Sequence, residues 1–112
     1  MSELPVARGD VWWVVLDPAQ GSEIRKNRPC VVLSHNTLNQ LRKTVVVIPL
    51  STAAKPHPPI TVPVTCQGRP AVAVIDQVRA VAKQRLQSKI EAMTSTDLAG
   101  INRAIATILE IR

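Results

Sequence analysis

A chain of 112 residues with a formal net charge of +6 has the length of one domain, here residues 1–112, and an excess of positive charge that favours a polyanionic partner. Apolar residues make up 46% of it, yet none of its apolar runs reaches the roughly eighteen residues a membrane-spanning helix needs, so no membrane span is expected. Two cysteines, Cys30 and Cys66, and two histidines, His35 and His57, stand in no metal-ligand spacing, so neither a bound metal nor any other cofactor is expected and a disulfide framework has no basis.

The first apolar run, Val11–Leu16, is short and rich in Val and Trp, which predicts a strand. Neighbouring strand residues face opposite sides, so one of Trp12 and Trp13 is expected in the core and the other toward the surface, where it would suit a nucleobase or a dimer seam. Gly21–Pro29 is predicted to be a loop, with Pro29 fixing the backbone as the chain re-enters the sheet. It sets Glu23 among Arg25, Lys26 and Arg28, a charge pattern suited to an anion such as RNA phosphate. The same residues also read as a solvated hairpin whose charges only keep the chain dissolved. Cys30–Ser34 is the second predicted strand, with Cys30 a buried reduced thiol, and Asn36–Leu41 a brief helical turn.

Thr44–Leu50 follows as a strand whose Val45–Ile48 core is apolar on both faces. Ala53–Pro59 carries three prolines and is expected to be an extended loop. Ile60–Val64 and Val72–Ile75 are further strands, Val78–Val81 and Ser88–Met93 weaker ones, with a turn or short helix at Lys83–Gln87. Short β-branched segments at this spacing point to a small barrel rather than to βαβ units. One long helical pattern closes the chain. Ser95 or Thr96 is the expected N-cap, Asp97 sits in the first turn, and Leu98, Ile101, Ile105, Ile108 and Leu109 form an apolar stripe. The opening Met1-Ser2-Glu3-Leu4-Pro5 lacks a basic flank and apolar core, so cytoplasmic residence is the expectation.

Arg8-Gly9-Asp10-Val11-Trp12-Trp13-Val14-Val15-Leu16-Asp17-Pro18, followed by Gly21-Ser22-Glu23 and Asn27-Arg28-Pro29-Cys30-Val31-Val32-Leu33-Ser34, resembles the first half of the MazF/PemK toxins. These are the endoribonuclease partners of type II toxin–antitoxin modules. Thr44-Val45-Val46-Val47-Ile48-Pro49-Leu50-Ser51-Thr52 resembles the family's central strand, and Ala73-Val74-Ile75-Asp76-Gln77-Val78-Arg79-Ala80-Val81 its Asp-Gln strand. No block is specific alone; their order and spacing are. The resemblance implies a mainly β fold with a C-terminal α-helix, an SH3-like barrel of the MazF/CcdB type.

It also implies a sequence-specific, metal-independent endoribonuclease acting on single-stranded RNA, working as a homodimer and inhibited by an acidic antitoxin of the MazE/PemI type. Without a metal, the substrate's own 2′-hydroxyl attacks phosphorus, and the protein must take that proton, stabilise the phosphorane and protonate the leaving 5′-oxygen. By resemblance Arg28 is the catalytic arginine and Ser51 stands where the family has a catalytic threonine, with Thr52 taking the role if the register shifts by one. Glu23 and Asp76 are the supporting acids. Arg25, Lys26, Asn27, Thr52, Lys55, Gln77 and Arg79 are the expected RNA contacts. Val74 and Ser22 occupy positions where some members carry arginine and histidine, so the acid–base roles of those members do not carry over. Two other functions fit the same outline: a CcdB-like toxin that poisons gyrase by protein contact, and a non-catalytic SH3-like RNA-binding module.

Overall fold

The computed structural model describes residues 5–16 and 26–111. Their strands are β1 (Asp10–Val15), β2 (Asn27–Val32), β3 (Thr44–Ser51), β4 (Thr61–Cys66), β5 (Arg69–Val74), β6 (Arg79–Ala82) and β7 (Leu86–Ala92). Helix α1 (Asn36–Leu41) lies between β2 and β3, and α2 (Ser95–Ile108) ends the chain. Tight 3-10 turns at Ile75–Gln77 and Lys83–Arg85 link β5 to β6 and β6 to β7.

All pairings are antiparallel. The strands run β4-β5-β3-β2-β1-β7, with β6 also on β3. β3 is shared: its first half pairs with β6 and its end, Leu50 and Ser51, with β5. The strongly bent sheet wraps like a barrel, but no ladder joins β4 to β7 among the described residues, so it stays open.

The apolar run of β3 is buried for the expected reason. Ile48 and Leu50 face one core with Val11, Val31, Val64, Ala73, Ile75 and Ile101. Val45 and Val47 face a second core with Trp12, Val14, Leu16, Cys30 and Val32. Side chains therefore alternate between two apolar interiors along β1, β2 and β3. Slipping β1 by one residue would drive the Trp12 indole into space packed around Val11, which fixes the register.

Several boundaries differ from the sequence expectation. β2 begins at Asn27, so Arg28 and Pro29 lie on a strand rather than in a loop. Pro29 pairs with Trp13 within the β1–β2 ladder but precedes the β2–β3 ladder, which begins at Cys30, so its missing N–H costs no bond to β3. β4 starts after Ile60, which is left 44% exposed. The N-cap of α2 is Thr94, one residue before the expected position; its hydroxyl accepts from the Asp97 N–H at 3.2 Å. The Asp97 side chain then accepts from the Thr65 N–H at 2.9 Å, tying the helix start to β4. On α2 the buried residues are Ile101 and Ala104, with Leu98, Ile105 and Ile108 half-buried, while Leu109 ends the helix 55% exposed.

A buried carboxylate fastens β1. Asp10 accepts from the Ala7 N–H at 2.9 Å and the Trp12 indole at 3.5 Å, and pairs with Lys89 of β7 at 3.3 Å. Gly9, at φ 92°, turns the chain into β1; its N–H reaches the Val32 carbonyl and its carbonyl accepts from the Met93 N–H. Among the described residues no helix is long and apolar enough to cross a membrane.

Candidate functional site

The β2–β3 ladder pairs Val32 with Val47, Val31 with Ile48 and Cys30 with Pro49. Continuing that register by two residues sets Arg28 opposite Ser51, at the end of the sheet where β3 turns into the proline-rich loop. There a cleft of about 540 Å³ opens. Asn27, Arg28, Pro29, Ser51 and Thr52 line one side, Gln67 and Arg69 of the β4–β5 hairpin another, and Trp13, Leu50, Cys66 and Ala71 also border it. No carboxylate of a described residue lines it.

Arg28 is exposed, and its guanidinium makes no ion pair or hydrogen bond with a described residue. An unpaired fork at a cleft wall suits two oxygens of a phosphate. Ser51 is half-buried, and its Oγ accepts from the N–H groups of Ala53 at 3.1 Å and Ala54 at 3.2 Å. A serine oxygen has two lone pairs and one proton. With both lone pairs engaged by the turn, the hydroxyl can act toward a ligand only as a donor. The turn cap thus leaves the Ser51 proton available to a ligand.

Two irregularities in the β1–β7 ladder flank Trp12 and Trp13. Trp12 is buried at 2% exposure in the second core, while Trp13 shows 36% of its surface and borders the cleft. The expected division of the two indoles therefore holds, and the outward one reaches the cleft. Across from Arg28, Gln67 and Gly68 form a two-residue hairpin turn, both with positive φ, 53° and 74°. This is the geometry of a type I′ turn, which a glycine at the second position favours. The Gln67 N–H donates to Glu91 Oε2 of β7 at 2.9 Å, and Asn27 Nδ2 donates to Gln87 Oε1 at 3.3 Å. β7 thus supports both walls.

The site residues expected from the sequence divide into three groups. Arg28, Ser51, Asn27 and Thr52 are brought together at the cleft. Asp76, Gln77, Arg79, Lys26 and Lys55 do not line it. Asp76 is exposed on the 3-10 turn after β5, and Arg79 pairs opposite Val47 on β6, near enough to act on the Cys30 thiol. Lys26 precedes β2 with φ 69°, and Lys55 is exposed in the loop after β3. Glu23 and Arg25 lie outside the described residues. Sequence reasoning missed Gln67, Arg69 and Cys66. A Gln-Gly pair between two alternating runs is a hairpin signal that would have placed Arg69 at a strand start.

The remaining ionisable candidates have structural roles. His35 caps α1, its Nδ1 accepting from the Thr37 N–H at 3.0 Å, and His57 is exposed in the loop before β4. Burial pushes the Cys30 thiol up to about 12, and burial with the Glu91 carboxylate nearby also raises Cys66. Both thiols stay protonated near neutral pH, which removes them as nucleophiles. Among the described residues no group of three or more His, Cys, Asp or Glu is placed to hold a metal ion.

Residues 7–109 match the family described as the PemK-like, MazF-like toxin of type II toxin–antitoxin systems. The chain is 33% identical to Endoribonuclease MazF9 of Mycobacterium tuberculosis, across 93% of this chain and 96% of that protein. It is 39% identical to the endoribonuclease toxin MazF of Escherichia coli K12 over 66% of each. The fold matches MazF of Deinococcus radiodurans with a TM-score of 0.86 at 22% identity, covering 97% of this chain and all of that one. It also matches a mycobacterial endoribonuclease solved in complex with its cognate antitoxin, with a TM-score of 0.80 at 22% identity, over 96% of this chain and 97% of that one.

Proposed function

The chain belongs to the PemK-like, MazF-like toxin family of type II toxin–antitoxin systems, and on that premise we propose that it is a toxin whose Arg28–Ser51 cleft cuts single-stranded RNA at specific sequences without a metal ion. The observation that carries this reading is the pairing of a guanidinium that no described residue engages with a hydroxyl committed to donation, in a cleft free of described carboxylates.

The 2′-oxygen of the nucleotide before the scissile bond attacks phosphorus, forming the 2′-O–P bond as the P–O5′ bond breaks. Arg28 forks onto the non-bridging oxygens and gains strength as negative charge builds on the phosphorane. The Ser51 proton donates to the same phosphate. Glu23 is the proposed acceptor of the 2′-proton and Asp76 the second supporting acid; the leaving 5′-oxygen takes its proton from water in the cleft, and Glu23 returns the 2′-proton to solvent. Arg25, Lys26, Asn27, Thr52, Lys55, Gln77 and Arg79 hold the strand on either side. The products are a 2′,3′-cyclic phosphate and a 5′-hydroxyl. DNA lacks the 2′-oxygen and is not cut.

The 112 residues act as one domain, residing in the cytoplasm as a homodimer, and an acidic MazE/PemI-like antitoxin competes with RNA for the basic surface. A charge of +6 per protomer makes that competition sensitive to salt. A gyrase-poisoning or purely binding role leaves the Arg28–Ser51 pair without a use. Incubating the purified protein with a pool of random-sequence RNA in EDTA tests the proposal. Discrete cuts ending in 5′-hydroxyls support it; intact RNA, or cutting only when a divalent ion is added, contradicts it.

A further inference from the structure

On the premise that the Arg28–Ser51 cleft cuts RNA, we infer that the β4–β5 hairpin and Trp13 form a nucleotide subsite beside it, in which Arg69 binds the phosphate next to the scissile one and the Trp13 indole packs on the adjoining base.

Three observations converge on this subsite. First, Arg69 is exposed at the cleft wall and makes no ion pair or hydrogen bond with a described residue. Two unpaired guanidinium groups, Arg28 on β2 and Arg69 on β5, therefore border one cavity with no described carboxylate between them. One phosphate needs one fork; a second unpaired fork in the same cleft suits a ligand with more than one phosphate, such as a polynucleotide strand.

Second, Trp13 borders the cleft with 36% of its surface showing, beside the apolar Pro29, Leu50 and Ala71. Each base of a single strand offers a flat face, and an indole beside a basic wall is a stacking platform of the kind single-strand binders use. The cleft volume of about 540 Å³ lies in the range of cavities that enclose a small ligand.

Third, the hairpin is held in place. Glu91 Oε2 accepts the Gln67 N–H at 2.9 Å, fastening the tip of the turn to β7. Arg69 is two residues further along, paired with Cys66 across the hairpin. Glu91 is thus a positioning residue: it sets where the Arg69 side chain starts without touching the strand itself.

Binding of a short random-sequence single-stranded DNA, which the cleft has no 2′-oxygen to cut, isolates the subsite from the chemistry. For Arg69→Ala we expect Kd to rise about tenfold or more. The slope of log Kd against log salt should fall by about 0.7, the value for one lost phosphate contact on a single strand. Arg69→Lys should restore the slope but only part of the affinity. Glu91→Ala should weaken binding, and Glu91→Gln, which keeps an acceptor oxygen, should recover it. The chain has only two tryptophans, and Trp12 is buried, so binding should quench the emission that Trp13→Phe removes. On RNA that the wild-type protein cuts, Arg69→Ala should raise KM far more than it lowers kcat. Wild-type cutting combined with an unchanged salt slope and KM in Arg69→Ala, or with tryptophan emission that binding leaves unmoved, would overturn the subsite alone. A wild-type protein that neither binds nor cuts RNA would overturn the functional proposal and the subsite together.

Discussion

Arg28 and Ser51 each lie two residues beyond the Cys30–Pro49 pair that ends the ladder between two adjacent antiparallel strands, and both side chains border the same cleft. Placing a permanent cation and a donor hydroxyl on neighbouring strands, rather than on two loops, fixes their separation through the sheet. That matters because a charge-stabilising group acts only if it is already in position when the phosphorane forms.

Arg28→Ala should lower the cleavage rate by roughly 10²–10³-fold, the usual loss for one essential transition-state donor. The side chain is exposed and no described residue pairs with it, so the urea midpoint should move little. Arg28→Lys keeps the charge but not the planar fork and should regain only a fraction of the rate. Near-normal cutting by Arg28→Ala at matched protein concentration would remove this residue from the mechanism.

For Ser51 the hydroxyl matters more than the size of the side chain. Ser51→Thr should keep its activity, whereas Ser51→Ala should lose most of it and about 1 kcal/mol of stability with the two hydrogen bonds to the turn. Thr52→Ala is the control: if it proves the more damaging change, the catalytic hydroxyl belongs to Thr52.

Asp10 serves the fold and not the cleft. Asp10→Ala orphans the Ala7 N–H and the Trp12 indole, each costing on the order of 1–3 kcal/mol where water cannot replace the lost partner. Thermal unfolding should shift down clearly while the folded fraction cuts RNA at the wild-type rate. A stable Asp10→Ala protein would show that water reaches both donors.

The Cys30 thiol predicts an alkaline instability. Its ordinary value is 9.0 and burial raises it to about 12. Below about pH 9 the thiol is neutral in both states and adds no pH dependence. Between those values the unfolded chain releases the proton while the folded one keeps it. Stability therefore falls with rising pH, by roughly 1.4 kcal/mol per unit. Urea midpoints taken from pH 8.5 to 10.5 should slope down more steeply in the wild type than in Cys30→Ala; equal slopes would mean that the folded thiol ionises like a free one.

Much of the fold was legible in the sequence because short β-branched runs and their breakers leave few alternatives. Val45–Ile48 announced a doubly buried strand, and the two tryptophans split between core and surface as alternation requires. The sequence singled out Arg28 as a candidate but placed it in a loop, whereas it lies on β2. Pro29 suggested a loop, and only its place before the β2–β3 ladder shows how a strand accommodates it. The N-cap slipped by one because Thr94, Ser95 and Thr96 are all competent caps and only the backbone chooses among them. Arg69 was out of reach for another reason: its partners at the cleft come from β1, β2 and β3, far away in sequence, and no local pattern marks a side chain that becomes functional through the sheet. Asp76 shows the converse, since a motif match placed it in the site and the described protomer leaves it outside the cleft lining.

The most direct test replaces one atom of the substrate. Once a cut site has been mapped, a single 2′-deoxy nucleotide is placed immediately 5′ of the scissile bond in an otherwise unmodified RNA, and binding and cleavage are measured in EDTA. Attack by the 2′-oxygen under Arg28 and Ser51 predicts that this RNA binds with nearly unchanged affinity and stays intact, while the unmodified strand yields a 2′,3′-cyclic phosphate and a 5′-hydroxyl. Cleavage of the deoxy-substituted strand at the same bond would contradict it.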